Sequence, residues 1–207
     1  MSEPAAMMGT MASRQLVLAS ASPARLRLLW DAGFDPLVVV SGVDESDVDG
    51  KPDEIVETLA RRKATAVASM APSDAVVIGC DSMLNLEGDL LGKPATADGA
   101  REYWQRMRGR DGVLLTGHCV IDTKTERESS AVARTTVHFG TPTDAEVDAY
   151  ISTGEPLRVA GAFTLDGFAA PFVDGIEGDH GNVIGLSLPL LRRLLADIDI
   201  EITDLWR

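Results

Sequence analysis

The segment from Ser20 to Arg25 joins a short apolar stretch to residues with helical spacing, and it concentrates groups that could bind an anion. Ser22 is a natural N-cap, and Pro23 suits the first helical position. Backbone N–H groups at a helix N-terminus are free to bind an anion, and the helix dipole favours one there. Arg25 opposes that dipole unless an anion is bound. The segment therefore predicts either a phosphate site or an ordinary capped helix with a solvent-facing arginine.

Lys63 lies on an otherwise apolar stripe of a helix predicted over residues 54–70. Ile55, Leu59 and Val67 occupy the same stripe at i+4 spacing, so this face should pack on the core. A lysine in that position either extends its amine to solvent or points it into a polar site. The residue pattern leaves both alternatives open.

Two carboxylates and a second lysine follow predicted strands. Asp81 ends the apolar run 76–80, where a carboxylate is either buried for a task or exposed because the strand has ended. Glu45 lies in an acidic loop over residues 44–53, and Lys93 follows a predicted hairpin. Carboxylate oxygens suit Mg²⁺ or Mn²⁺, and the cations suit a polyphosphate. The set indicates phosphoanhydride hydrolysis in a small nucleotide.

Composition excludes several other classes of protein. The 207 residues include 19 Lys and Arg against 32 Asp and Glu, a formal net charge of −13, which disfavours binding to a nucleic acid polymer. Hydrophobic residues make up 45% of the chain, as in ordinary globular proteins. We find no apolar run long enough to span a membrane and no signal-peptide pattern, so a cytoplasmic location is expected. The two cysteines form neither a disulfide framework nor a zinc motif.

The elements that would position these residues alternate between strand and helix, which predicts an α/β fold with a mixed twisted sheet flanked by helices. We expect residues 1–13, with Met1, Met7, Met8 and Met11, to be a disordered tail of uncertain true start, and residues 14–207 to form one domain. Strands are predicted at 15–19, 36–43, 75–82, 113–122, 129–139 and 198–202, with a hairpin turning at 87–89. Helices are predicted after Ser22, over 54–70, and after Thr96, Thr143 and Ser187.

The sequence resembles the Maf family, the septum-formation-inhibitor-like nucleoside triphosphate pyrophosphatases, in several short segments that occur in the same order. The resemblance runs from about Leu16 to Leu195. Its blocks are LASASPARLRLL (18–29), VSGVDE (40–45), RKATAVA (62–68), VIGCDS (77–82), LGKP (91–94), LLTG (114–117), YISTGEPLRVAGAF (150–163) and IEGDHGNVIGLSL (176–188).

This resemblance implies an elongated, two-lobed fold similar to inosine triphosphate pyrophosphatase, with a central cleft. It implies conversion of a canonical or modified nucleoside triphosphate to the monophosphate and diphosphate, with a divalent metal such as Mg²⁺ or Mn²⁺, as a house-cleaning activity in a homodimer. The family's proton acceptor falls on Asp81, which with Glu45 would bind the metal. Its phosphate-binding residues fall on Ser20, Arg25, Lys63 and Lys93. The family name also leaves open a non-catalytic regulatory protein of septum formation and a role in arrest of cell division.

Three departures from the family pattern concern choice of the base. Ala24 replaces the first of two arginines, and Ser82 replaces the threonine of the pyrimidine-specific subfamily. Asp166 replaces that subfamily's specificity glutamine. An ionised aspartate only accepts hydrogen bonds, so it would favour guanine-like or cytosine-like bases over uracil or thymine. The alternative is that Asp166 caps a turn beside Gly167.

Overall fold

A seven-stranded mixed sheet organises residues 14–207, the part of the chain that the computed structural model describes. The predicted tail, residues 1–13, lies outside the described residues. The strands are β1 Gln15–Leu18, β2 Leu37–Val38, β3 Ala75–Leu86, β4 Asp89–Leu91, β5 Asp111–Asp122, β6 Glu128–Phe139 and β7 Val173–Glu177. The helices are α1 Pro23–Asp31, α2 Pro52–Ala68, α3 Ala97–Met107, α4 Asp144–Ser152, α5 His180–Ile184 and α6 Leu188–Asp197. This confirms the predicted mixed α/β fold.

The order across the sheet is β2-β1-β3-β5-β6-β7, and β4 pairs with β3. β1 runs parallel to both β2 and β3, whereas the pairs β3–β5, β5–β6 and β6–β7 are antiparallel. A tight turn with positive φ at Glu87 and Gly88 joins β3 to β4, as the hairpin pattern predicts. Residues 14–207 contain no helix long and apolar enough to cross a membrane.

Four of the five predicted helix starts are confirmed by their caps, whereas the helix predicted from residue 54 begins at Pro52. The Ser22, Thr96 and Ser187 side chains accept hydrogen bonds from backbone N–H groups of α1, α3 and α6. Thr143 and Glu146 form the predicted capping box of α4. Local hydrogen bonding therefore determines where these helices begin.

Two predicted strands are wrong in extent or in kind. The predicted strand over 36–43 pairs only through Leu37 and Val38. The segment 198–202 is not a strand, because the Ile198 and Ile200 N–H groups both donate to the carbonyl of Leu195 at the end of α6. The two isoleucines are buried by packing on the core beneath α6. Sequence analysis also missed β7, which lies in a glycine-rich region.

The long strands cross two apolar cores, which correspond to the two predicted lobes. Ile78 of β3 packs with α1 and α6 in the first core, and Leu84 packs with α3 and α4 in the second. On the opposite face of the first half of the sheet, α2 packs against Val77 and Cys119. Asp81 lies on β3 between the two cores.

Candidate functional site

The site lies at a gap along one edge of β3. β1 pairs with β3 as far as Leu18 opposite Ile78, and β4 pairs with the same edge from Leu84 onward. β5 covers the other edge throughout this region. Within the described chain, residues 79–83 of β3 therefore have no strand partner on the first edge. Such a gap at the carboxyl end of a parallel strand is a common place for ligands in α/β proteins.

Asp81 faces α2 across this gap and meets Lys63. Lys63 Nζ donates to Asp81 Oδ1 at 2.6 Å and lies 2.7 Å from Glu45 Oε1. The Lys63 side chain is 13% exposed and that of Asp81 is 9% exposed. The structure thus decides both open alternatives: Lys63 points into a polar site, and Asp81 belongs to a continuing strand rather than to a solvent-facing end.

Close packing of α2 creates the contact between Lys63 and Asp81. Gly117 lies directly opposite Asp81 on β5, and Gly79 is two residues before it on the same face. A Cβ at Gly117 would overlap the Val56 carbonyl, and one at Gly79 would overlap the Ala60 carbonyl. The two glycines let the helix backbone rest on the sheet, which brings Lys63 within reach of Asp81.

Arg25 lies on the other face of β3 at the gap. Its Nε donates to the Gly185 carbonyl, its Nη1 to the Ser20 hydroxyl and the Cys80 carbonyl, and its Nη2 to the Ser82 hydroxyl, all at 2.8–2.9 Å. Arg25 is only 9% exposed, so the alternative of a solvent-facing arginine is wrong. These bonds occupy four of its five N–H donors and connect the N-terminus of α1 with β3 and α5.

Lys93 approaches the gap from the side of β4. β4 leaves the sheet at Leu91, opposite Leu84, and runs antiparallel to β3, so the following residues extend toward the gap. The Gly92 carbonyl accepts a hydrogen bond from Gly161, which attaches the segment before Asp166 to this side. Lys93 is exposed, and it makes no ion pair among residues 14–207. It is therefore available to a ligand.

Asp166 lies in an exposed loop that another carboxylate holds in place. Glu155 Oε1 accepts hydrogen bonds from the Thr164 hydroxyl at 2.7 Å and from the Phe168 amide at 3.0 Å. Within the described residues Asp166 makes no hydrogen bond, so Glu155 and not Asp166 stabilises this turn. Ala24 is half-buried in the first turn of α1.

Sequence analysis missed a buried polar group beneath Ser82. Thr116 lies opposite Ser82 on β5 with no exposed surface, and the two hydroxyl oxygens are 2.9 Å apart. Thr116 Oγ1 also donates to the backbone carbonyl of Asn182 at 3.1 Å. A threonine directly before Gly117 in an apolar strand is the only sequence signal of this arrangement.

His118, two residues further along β5, is held neutral beside the site. Its Nε2 accepts a hydrogen bond from the Ser187 amide at 2.8 Å, so its Nδ1 carries the proton that is donated to the Thr116 carbonyl at 2.9 Å. Burial lowers the pKa of His118 to about 4, with a smaller contribution from the charge of Arg25. A neutral imidazole here joins β5 to the start of α6.

The carboxylates fit a hard divalent cation that also binds phosphate. Asp81 Oδ2 is buried and has no partner among the described residues, and Glu45 lies on the other side of the same lysine nitrogen. Within residues 14–207, no group of three or more His, Cys, Asp or Glu side chains is arranged so that it could hold a metal ion by itself. Two carboxylates suit Mg²⁺, which commonly takes its remaining ligands from water and substrate phosphates.

The site combines a buried carboxylate, a lysine beside it and cations on either side of an open strand edge. These features place the chain in the class of α/β proteins that act on an anionic ligand. The Maf-like protein family model matches residues 15–198, and the chain belongs to this family.

The chain is similar to several curated proteins over nearly its whole length. It is 62% identical over 195 residues to a protein of Streptomyces coelicolor, covering 93% of this chain and 95% of that protein. It is 55% identical to a protein of Salinispora tropica, covering 93% and 87%, and 51% identical to one of Mycobacterium sp. (strain JLS), covering 93% and 98%. All three are named nucleoside triphosphate pyrophosphatase.

Proposed function

We propose that this protein is a nucleoside triphosphate pyrophosphatase that releases a nucleoside monophosphate and diphosphate. The observation that carries the proposal is the buried Asp81, bound to Lys63 at the open edge of β3. The names of the similar proteins state the same activity. Cleavage takes place between the α- and β-phosphorus atoms, since diphosphate is the leaving group.

Asp81 is the proton acceptor in this mechanism. Its Oδ1 is held by Lys63, so its Oδ2 is the oxygen that accepts a proton from the attacking water. Each carboxylate oxygen has two lone pairs, so Asp81 can take part in holding a cation and still accept this proton. The water oxygen forms a bond to the α-phosphorus while the bond from that phosphorus to the bridging oxygen breaks, and the electron pair leaves with the diphosphate. Lys63 orients the Asp81 carboxylate through the bond to Oδ1.

The phosphates bind between the two sides of the gap. Ser20 and the N-terminus of α1 lie on the β1 side, where backbone N–H groups and one remaining Nη2–H of Arg25 can donate to phosphate oxygens. Lys93 lies on the β4 side and Lys63 on the α2 side. The phosphate chain is thereby surrounded by positive charge despite the acidic composition of the protein.

Glu45 and Asp81 would hold Mg²⁺ or Mn²⁺ in this site. A cation bound there would supply charge neutralisation for the phosphates.

We further propose that Asp166 biases the choice of base, together with Ala24. Asp166 is exposed and makes no hydrogen bond in residues 14–207, so its carboxylate is free to accept from a base. Guanine-like or cytosine-like nucleotides should exceed dTTP and UTP in kcat/KM by about 10-fold or more. The variant Asp166→Gln should narrow or reverse this ranking. An unchanged ranking in the variant, or a preference of the wild type for dTTP or UTP, would contradict the assignment.

The experiment that tests the activity is a panel of canonical and modified nucleoside triphosphates, with diphosphate and monophosphate quantified separately. We expect both products in equal amounts, only with Mg²⁺ or Mn²⁺. Orthophosphate with a nucleoside diphosphate would show that a different bond is cut, and full activity in a chelator would exclude the metal.

We also propose a homodimer in the cytoplasm. A cytoplasmic location agrees with a nucleotide substrate.

The dimer proposal is supported by β2, a short edge strand. Leu37 and Val38 of this strand are exposed, and Val40 follows it with 60% of its surface exposed. Exposed apolar edges of this kind are often covered by a partner chain. Light scattering on the purified protein should give twice the mass of one chain, and Val40→Lys should shift it toward one. A wild-type monomer would contradict the dimer.

A further inference from the structure

A chain of hydrogen bonds connects Arg25 to the interior of the protein through Ser82 and Thr116. Arg25 Nη2 lies 2.9 Å from Ser82 Oγ, which lies 2.9 Å from Thr116 Oγ1, which lies 3.1 Å from the Asn182 carbonyl oxygen. Because successive residues of a strand face opposite sides, this chain lies on the face of β3 opposite to the Asp81 carboxylate. It ends in the core, since Thr116 and Asn182 have no exposed surface.

The direction of every hydrogen bond in this chain follows from its two ends. A backbone carbonyl can only accept, so the single Thr116 hydroxyl proton is donated to Asn182. Thr116 Oγ1 must then accept from Ser82. Arg25 can only donate, so Ser82 Oγ accepts from Nη2. The Ser82 proton is therefore already used, and Ser82 has no donor left for a nucleotide base.

This arrangement makes the guanidinium of Arg25 a fixed support for the open edge of β3. The same side chain binds the Cys80 carbonyl, the peptide group directly before Asp81, and the Ser20 hydroxyl. A Ser82 hydroxyl turned away from Arg25 would remove one of the four hydrogen bonds that hold the guanidinium plane. The orientation of Ser82 depends in turn on Thr116.

We propose that Thr116 is a positioning residue for the reaction: it orients the Ser82 hydroxyl, which holds Arg25 against the strand that carries Asp81. This inference rests on the proposed pyrophosphatase activity. Under this proposal Ser82 affects the reaction of all nucleotides alike. The reason is that Ser82 positions Arg25, which contacts the phosphates and the strand that carries Asp81 rather than the base.

The test compares Thr116→Val with Thr116→Ser. Valine matches the shape of threonine without the hydroxyl, so kcat/KM should fall about 10- to 100-fold, by the same factor for a purine and a pyrimidine nucleotide. Serine retains the hydroxyl and should recover most of the rate.

Thr135→Val provides a matched structural control. Thr135 is 1% exposed, and its hydroxyl donates to the Asp179 carbonyl and accepts from Asn182 Nδ2. Its loss removes one buried and one partly buried hydrogen bond, as in Thr116→Val, but neither of them involves Ser82 or Arg25. Urea unfolding should show similar destabilisation of the two valine variants, while only Thr116→Val loses most of its activity.

A double-mutant cycle with Ser82→Ala completes the experiment. If Thr116 acts through Ser82, Thr116→Val should have less than a twofold further effect in the Ser82→Ala background. Equal activity losses in Thr116→Val and Thr135→Val, no recovery in Thr116→Ser, or independent effects in the cycle would each overturn the proposal. An inactive wild type would instead refute the pyrophosphatase activity, so the two failures are distinguishable.

Discussion

At the scale of single residues, the chemistry depends on Asp81 and the nitrogen that binds it. The variant Asp81→Asn has almost the same shape but cannot accept a proton from water. We expect kcat to fall by about 10²–10⁴-fold with the fold retained, as measured by steady-state kinetics and circular dichroism. A kcat close to that of the wild type would show that Asp81 is structural.

A second prediction concerns Lys63, which forms an ion pair with the buried carboxylate of Asp81. Lys63→Met should abolish most activity and lower the free energy of unfolding by about 3 kcal/mol at neutral pH, since Asp81 then loses its cation. The double variant Lys63→Met/Asp81→Asn should regain stability but not activity, because it no longer buries a carboxylate without its cation.

The neighbouring Arg62→Met serves as the control for this prediction. Arg62 is on the same helix but pairs with the largely exposed Asp47, and such a surface pair contributes about 0–1 kcal/mol. Urea denaturation of the wild type and these three variants measures the effect. Equal destabilisation by Lys63→Met and Arg62→Met would contradict a buried ion pair.

At the scale of elements, the packing of α2 on the sheet sets the distance between Lys63 and Asp81. Gly117→Ala would push the helix away, because the new methyl group overlaps the Val56 carbonyl. We expect a loss of about 1–3 kcal/mol or more of stability and a fall in kcat that exceeds the effect on nucleotide affinity.

Gly175→Ala is the comparison for this packing. A Cβ at Gly175 in β7 would meet its nearest neighbour, His138 Cδ2, at an ordinary 3.8 Å. This variant should therefore remain close to the wild type in stability and rate. If Gly117→Ala were equally tolerated, the close approach of α2 would not be needed for the site.

At the scale of the whole molecule, His118 makes the stability depend on pH. Burial lowers its pKa to about 4 in the folded protein, whereas an unfolded histidine has a pKa near 6.5. Between these values the unfolded state binds more protons, so stability falls as the pH decreases from about 6.5 to 4. The difference in pKa contributes about 3 kcal/mol to the free energy of unfolding at neutral pH, and this contribution is lost below pH 4.

The measurement is urea unfolding across that pH range for the wild type, His118→Gln and His180→Gln. His118→Gln should lose this part of the pH dependence, although it is less stable at neutral pH. His180 is exposed, so its variant should keep the wild-type slope. A slope in His118→Gln that equals that of the wild type would show that other groups cause the acid sensitivity.

Local sequence determined the helix starts and most strands, because caps, turn residues and hydrophobic periodicity act over only a few neighbours. It also singled out Asp81, Lys63 and Arg25, since each is a charged residue in an unfavourable local setting. It failed at residues 198–202, where alternating isoleucines are buried by packing beneath α6 and the backbone bonds back to the helix.

Only the tertiary structure decided what those charged residues contact. The gap between β1 and β4 arises because two strands far apart in sequence pair with the same edge of β3. The contact between Lys63 and Asp81 needs glycines on two strands to admit α2, and the orientation of Ser82 needs Thr116 from β5. The Lys63–Asp81 contact joins residues 18 positions apart and the Ser82–Thr116 contact joins residues 34 positions apart. No local pattern encodes these relations, because strand register and helix packing are set by the whole core.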